Sequence, residues 1–134
     1  MDAFETETGT LDALLGIVCE DIGPDGHCVL SMPLDGRHRN LMGAAHGGSI
    51  FTLADNAFGR GCRAAGLLCV TAQASISYLR PGLAGPLRAE ARPVKLGRSL
   101  AVYDVQVFDG GGALIARAAV TGHVQERFDT GEHV

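Results

Sequence analysis

Residues 48–65, GSIFTLADNAFGRGCRAA, carry the only long helical pattern in the chain, and their reading decides the fold. With Ile50 at zero and about 100° per residue, Leu53, Ala57, Ala54, Phe58, Phe51 and Cys62 fill one arc running from about 300° to about 120°. Asn56 and Arg63 fall on the opposite side, at about 240° and 220°. Asp55 falls at about 140°, at the lip of the apolar arc next to Cys62 and Phe51. A carboxylate there is either a solvated edge residue or a half-buried functional acid.

On both sides of this helix the period changes to two. GIVCEDI (16–22) and HCVLSMPL (27–34) flank Gly23-Pro24-Asp25-Gly26, which predicts a hairpin over 16–33. An opening helix is expected over 4–14, with Thr8 or Thr10 as its cap and Leu11, Leu14 and Leu15 as its apolar side. Residues 34–46 read as a polar loop. After the long helix, 67–81, 86–97, 99–109 and 113–126 read as four strands, broken at Pro81-Gly82, at Gly97 and at Asp109-Gly110-Gly111-Gly112. Short connections predict antiparallel neighbours. A helix with one broad apolar face and six such strands must bury those faces on each other. The expected class is α+β: one domain over 1–134, its long central helix wrapped by a six-stranded antiparallel sheet.

Composition narrows the function. At 134 residues, 46% hydrophobic and 19% charged, the chain suits one packed domain and is too apolar for disorder. No apolar run reaches the roughly 18 residues of a membrane span. The acidic start MDAFETETG does not read as a secretory signal, so a cytoplasmic location is expected. A net charge of −4 argues against nucleic acid as a partner. The charge is uneven. Residues 1–36 hold eight acids and no Lys or Arg, residues 37–103 hold nine bases against Asp55 and Glu90, and residues 104–134 hold five acids and two bases. The basic middle suits either a polyanionic ligand or a solvated strand face. Cys19, Cys28, Cys62 and Cys69 show no C-x-x-C spacing, and the five histidines no ligand interval, so free thiols and no metal are expected.

The stretch GAAHGGS, 43–49, runs straight into the helix. Glycines there let backbone N–H groups approach a ligand at the positive end of the helix dipole. Without the Lys-Ser/Thr ending of a phosphate loop, the options are an oxyanion hole or a tight structural turn.

The run NLMGAAHGGSIFTLADNAFG, Asn40 to Gly59, resembles the signature of hotdog-fold acyl-CoA thioesterases, and more narrowly the phenylacetate-degradation thioesterase family. SISYLRP (75–81), GPLRAE (85–90) and LGRS (96–99) match the recurring strand motifs of that family, in order and spacing over about residues 10–125. The resemblance implies cleavage of an aryl- or hydroxyaryl-acetyl-CoA-like thioester to free acid and CoA, with no metal or organic cofactor. It assigns Asp55 as the catalytic carboxylate, either base or nucleophile, and Gly47 as the amide that polarises the carbonyl. Asn40 and His46 become positioning residues. Thr71 is the nearest match to the strand residue that orients water, with Gln73 beside it. It also implies a homo-oligomer, a tetramer built from dimers. Arg80, Arg88, Lys95 and Arg98 are candidates for the CoA phosphates. The alternative on the same fold is a non-catalytic acyl-CoA-binding module, against which the presence of Asp55 counts. A dehydratase using Asp55 and His46 fits the motif order less well.

Asp55 lies eight residues past Gly47, about 12 Å along one helix. An oxyanion donor and a base must both come within roughly 3 Å of one reacting carbonyl or its water. Two antiparallel helices across a two-fold axis would bring Asp55 of one chain beside Gly47 of another, so active sites shared within a dimer are expected.

Overall fold

A computed structural model describes residues 10–128. In chain order it holds α1 (Leu11–Leu15), β1 (Val18–Ile22), β2 (Cys28–Met32), a short 3-10 turn (Gly36–His38), α2 (Gly47–Ala64), β3 (Leu67–Tyr78), β4 (Leu87–Leu96), β5 (Leu100–Phe108) and β6 (Leu114–Arg127). The six strands form one antiparallel sheet in the order β1-β2-β4-β5-β6-β3, with α2 packed on its inner face. The long helix begins and ends one residue earlier than the periodicity predicts, and the hairpin is β1–β2.

Two expectations need correction. Strand β3 is not a neighbour of β4. It pairs with β6 at the far edge of the sheet, while β4 pairs with β2. Pro81-Gly82 reads locally as a hairpin turn, but the connector 79–86 has eight residues. That is ample to cross the three strand spacings, about 14 Å, that separate β3 from β4. The opening helix is one short turn in its described part, capped by Thr10, whose side chain accepts from the Ala13 N–H at 3.2 Å. Positions 4–9 of the predicted helix and Thr8 lie outside the described residues. Leu15 packs against the core, but Leu11 and Leu14 are exposed. Five helical residues end at Gly16, in the left-handed region, before that side can be buried.

The inward faces follow the pleat: Cys28, Leu30 and Met32 on β2, Leu87, Ala89 and Ala91 on β4, and Ala101, Tyr103, Val105 and Val107 on β5. From α2 the buried side chains include Ile50, Leu53, Ala54, Ala57, Phe58 and Cys62, which is the predicted arc without Phe51. Phe51 and Asp55 are half-buried at its margin.

The C-terminal half of α2 is held by close contacts. The Tyr103 ring stands edge-on to Phe58 at 5.3 Å, and its hydroxyl donates to the Gly26 carbonyl at 2.7 Å. Gly26 takes φ +96°, which a side chain would strain. A Cβ on Gly61 would lie 2.4 Å from that same carbonyl, so the helix touches the β1–β2 turn where it carries no side chain.

Two predictions follow from these contacts. Tyr103→Phe leaves the Gly26 carbonyl buried without its donor and should lower the unfolding free energy by about 1–2 kcal/mol in urea titration. An unchanged midpoint would contradict that account. On the same turn His27 hydrogen-bonds Asp25 and, at 3.1 Å, Asp21. Chiefly the Asp25 bond raises the His27 pKa above 6.5. Its contribution is therefore complete below pH 6.5 and lost as pH rises through the raised value. The same pair holds Asp25 below 3.8, so that contribution is lost only as pH falls through the lowered value. Relative to His27→Gln, the melting temperature of the parent chain should fall as pH rises above 6.5; parallel pH profiles would contradict this.

Candidate active site

The loop before α2 is built by local hydrogen bonds. Asn40 Oδ1 accepts from the Met42 and Ala44 N–H groups at 2.9 and 3.1 Å, folding 40–44 into a tight turn. The Ala45 N–H then donates to the Gly82 carbonyl and the His46 N–H to the His38 carbonyl, which fixes where the helix starts. His38 is buried and satisfied: the Asp35 N–H donates to its Nδ1, and its Nε2–H donates to the Leu15 carbonyl. This is a structural histidine.

His46 is the N-cap of α2. Its extended backbone, φ −65° and ψ 137°, turns the chain into the helix, and its Nδ1 accepts from the Gly48 N–H at 2.9 Å. The neutral ring therefore carries its proton on Nε2, a donor facing outward. Tyr78, from the end of β3, lies over Gly47 and donates to its carbonyl at 2.9 Å. Nothing in a lone tyrosine at the end of a strand marked that role in the sequence. Among the described residues no acceptor meets the Gly47 N–H. It stands at the positive end of an 18-residue helix, as an oxyanion donor would.

The second half of the candidate site lies two turns along. Thr71 Oγ1 donates to Asp55 Oδ1 at 2.7 Å, joining β3 to α2. The strand is irregular between Thr71 and Gln73, and such an irregularity re-aims neighbouring side chains. Asp55 and Thr71 share a cleft of about 500 Å3 between α2 and β3, together with Phe58, Gly59, Leu68 and Val70. His46 and Gly48 line a separate cleft of about 350 Å3, beside Arg37 and Arg39. Among the described residues, the cleft that holds Asp55 and Thr71 is lined by neither His46 nor Gly48 at the helix N-terminus.

The four candidate bases are not brought together. Arg88 pairs with Glu90 at 2.8 Å near one end of β4. Lys95 lies seven residues along the same strand, about 23 Å away, with Arg98 in the turn beyond it. Arg80 follows β3 beside Ile115, at the Arg88 end of the sheet, since Phe108 pairs with both Arg88 and Leu114. Arg37 and Arg39, which the sequence reading passed over, are nearer the helix start. Their guanidinium groups bind the Leu14 carbonyl and the Gly43 and Leu34 carbonyls respectively.

The cysteines are free thiols. Burial pushes the Cys62 and Cys69 thiols up, so both are protonated at neutral pH and poor nucleophiles. Among the described residues no group of three or more His, Cys, Asp and Glu side chains is placed to hold a metal ion, and no helix is long and apolar enough to cross a membrane.

Comparison with known proteins identifies the family. The thioesterase superfamily model matches residues 42–116. The acyl-coenzyme A thioesterase PaaI of Escherichia coli is 37% identical over 84 residues, which is 62% of this chain and 60% of that protein. Its structure superposes with a TM-score of 0.82 at 30% identity, covering 92% of this chain and 88% of that one. A hypothetical thioesterase of Streptococcus pneumoniae, solved with coenzyme A, matches with a TM-score of 0.79 at 33% identity, over 84% of this chain and 88% of that one. Variants of that protein with an aspartate and with a threonine changed to alanine match as well. The 1,4-dihydroxy-2-naphthoyl-CoA hydrolase of Escherichia coli is 28% identical over 120 residues, 84% of this chain and 85% of that protein. In sequence, the chain spans less than two thirds of the PaaI length. With a family model covering more than half of its residues, and one long helix on a six-stranded antiparallel sheet, the chain belongs to the thioesterase superfamily and has the hotdog fold.

Proposed function

We propose that this protein hydrolyses acyl-CoA thioesters to a free acid and CoA, at active sites shared between two copies of the chain. The observation that carries this is the Asp55–Thr71 hydrogen bond in a cleft that the unpartnered Gly47 amide does not reach. Antiparallel α2 helices from two copies supply both halves at each of two sites. The exposed edge of β3, twelve residues long, offers the second copy a surface beside that cleft.

In this mechanism the thioester carbonyl oxygen accepts from the Gly47 N–H of one copy, where the helix dipole stabilises the oxyanion; one such donor is worth about 3 kcal/mol. Thr71 occupies Asp55 Oδ1 of the other copy and leaves Oδ2 to accept a proton from water. Water oxygen bonds to the carbonyl carbon, the C–S bond breaks on collapse, and the CoA thiolate takes up the proton. His46 Nε2–H and Asn40 steady the loop and the thioester. Arg80, with Arg37 and Arg39, stands at the Gly47 end and faces the CoA phosphates; Arg88, Lys95 and Arg98 lie farther off. An aryl- or hydroxyaryl-acetyl group is the acyl class that the sequence resemblance supports. The CoA-thioester chemistry named for the relatives supports the leaving group.

Free-CoA release from phenylacetyl, hydroxyphenylacetyl, benzoyl and aliphatic thioesters tests the reaction. Turnover should occur for one group, fall at least a thousandfold in Asp55→Asn, and fall by about tenfold to a hundredfold in Thr71→Val with the melting temperature retained. Binding of acyl-CoA without turnover of any thioester would favour the non-catalytic module instead.

Sharing is tested by mixing Asp55→Ala with Gly47→Pro chains. His46 already has the extended backbone that precedes proline, and proline is tolerated at the first helical position, so Gly47→Pro removes the N–H on a compatible backbone. Its Cβ would lie 3.3 Å from the Tyr78 ring, which must shift by a few tenths of an ångström, so assembly and melting temperature are measured alongside. Random re-association should restore about a quarter of parental activity, because half the dimers are mixed and each has one intact site. Mixed dimers without activity would contradict the shared site.

A further inference from the structure

Strand β3 bonds α2 at two points, and the chemistry above uses only one of them. Thr71 bonds the Asp55 carboxylate, and farther along the strand Tyr78 donates its hydroxyl to the Gly47 carbonyl at 2.9 Å. In a regular strand these two side chains would point to opposite faces, because successive side chains alternate. The register shift between Thr71 and Gln73 changes the phase. Cys69 before it, and Ala74 and Ile76 after it, pack against the core, so the inward positions run 69, 71 and then 74, 76, 78. The Leu79 N–H donates to the Ile115 carbonyl at 2.8 Å and fixes the end of the strand. The irregularity in β3 therefore aims Tyr78 at the start of the helix.

Each of the two glycines there is faced by one ring. A Cβ on Gly47 would lie 3.3 Å from the Tyr78 ring, and one on Gly48 would lie 3.1 Å from Nδ1 of His46. Neither glycine has a positive φ, so crowding by the two rings, not backbone strain, disfavours a side chain at either. Between the rings lies a single peptide group. Its carbonyl, that of Gly47, accepts from Tyr78, and its N–H, that of Gly48, donates to His46 Nδ1 at 2.9 Å. Amide resonance links the two bonds: drawing charge onto the carbonyl oxygen makes the N–H a stronger donor. A stronger Gly48 donor holds Nδ1 as an acceptor, which confines the ring proton to Nε2. Tyr78 is exposed, so burial does not demand its bond to Gly47; water would satisfy the hydroxyl as well.

We infer that Tyr78 is a positioning residue for the reaction: through the Gly47–Gly48 peptide it keeps His46 in the Nε2–H form, with that donor presented to the thioester. The His38 carbonyl, which accepts from the His46 N–H at 2.7 Å, holds the backbone of the same residue, so ring and main chain are fixed from separate sides. This inference rests on the thioesterase reading above, but the state of the His46 ring is read without turnover.

The test joins kinetics to a spectroscopic readout of the ring. Proton–nitrogen correlation spectra of protein labelled on the histidine ring nitrogens, at alkaline pH where imidazole is neutral, report which nitrogen carries the proton. Loss of signals in His46→Gln identifies those of His46. In the parent chain His46 should be protonated on Nε2. Tyr78→Phe keeps the ring and removes only the hydroxyl. Its Nδ1–H share should rise, and kcat should fall by about twofold to fivefold, with KM and melting temperature retained. Gly48→Ala crowds the same ring nitrogen and should shift the tautomer in the same direction with Tyr78 intact. An unchanged tautomer in Tyr78→Phe would overturn the relay even if kcat fell, because the hydroxyl would then act elsewhere. A shifted tautomer with kcat unchanged would overturn the role in the reaction. A parent ring protonated on Nδ1 would overturn both. A parent chain that hydrolyses no thioester would overturn the thioesterase reading and the positioning role with it, while the tautomer comparison would still decide the relay.

Discussion

The constraint on which the rest depends is the rigidity of α2. One uninterrupted helix, Gly47–Ala64, carries a free N-terminal amide at its start and a carboxylate eight residues later. A helix cannot bend to bring these together, because each turn is closed by its own hydrogen bonds and the rise per residue does not vary. The fixed separation of about 12 Å turns a question about chemistry into one about assembly. Either the two groups serve different purposes, or a second copy completes the site.

The fold is arranged to keep that helix from shifting. Small residues on its buried face, Ala54, Ala57 and Gly61, let it sit close to the sheet, and Tyr103 reaches past it to the β1–β2 turn. At the other end, Asn40 folds the loop, His46 caps the first turn and Tyr78 holds the Gly47 carbonyl. These contacts orient the Gly47 amide without occupying it. Between the two ends, the Thr71 hydroxyl links the Asp55 carboxylate to β3, so sheet and helix position the acid together.

Much of this was legible in the sequence because it depends on local period and spacing. The 3.6-residue pattern located α2 within one residue and placed Asp55 at the margin of its apolar face, where the structure has it half-buried. The pairing of β3 with β6 was not legible, since strand order depends on which edges meet in three dimensions and the eight-residue connector permits either neighbour. Phe51 falls within the apolar arc on a wheel yet is only half-buried, because a wheel ignores where the sheet ends. The Tyr78–Gly47 and Asp12–Arg60 contacts were invisible because each joins residues more than thirty positions apart, with no motif to announce it. The basic middle of the chain was visible as a charge count, but its candidates separate to opposite ends of β4 once the strands are laid out.

The central claim is that Asp55 and Gly47 act on one thioester from two different copies of the chain. The most direct measurement is a crystal structure of the Asp55→Ala protein with an intact acyl-CoA bound. The account predicts the thioester carbonyl oxygen within about 3 Å of a Gly47 amide nitrogen. It also predicts that the carbonyl carbon faces residue 55 of the other subunit. A thioester held against Gly47 and residue 55 of the same subunit, or bound away from both, would contradict it.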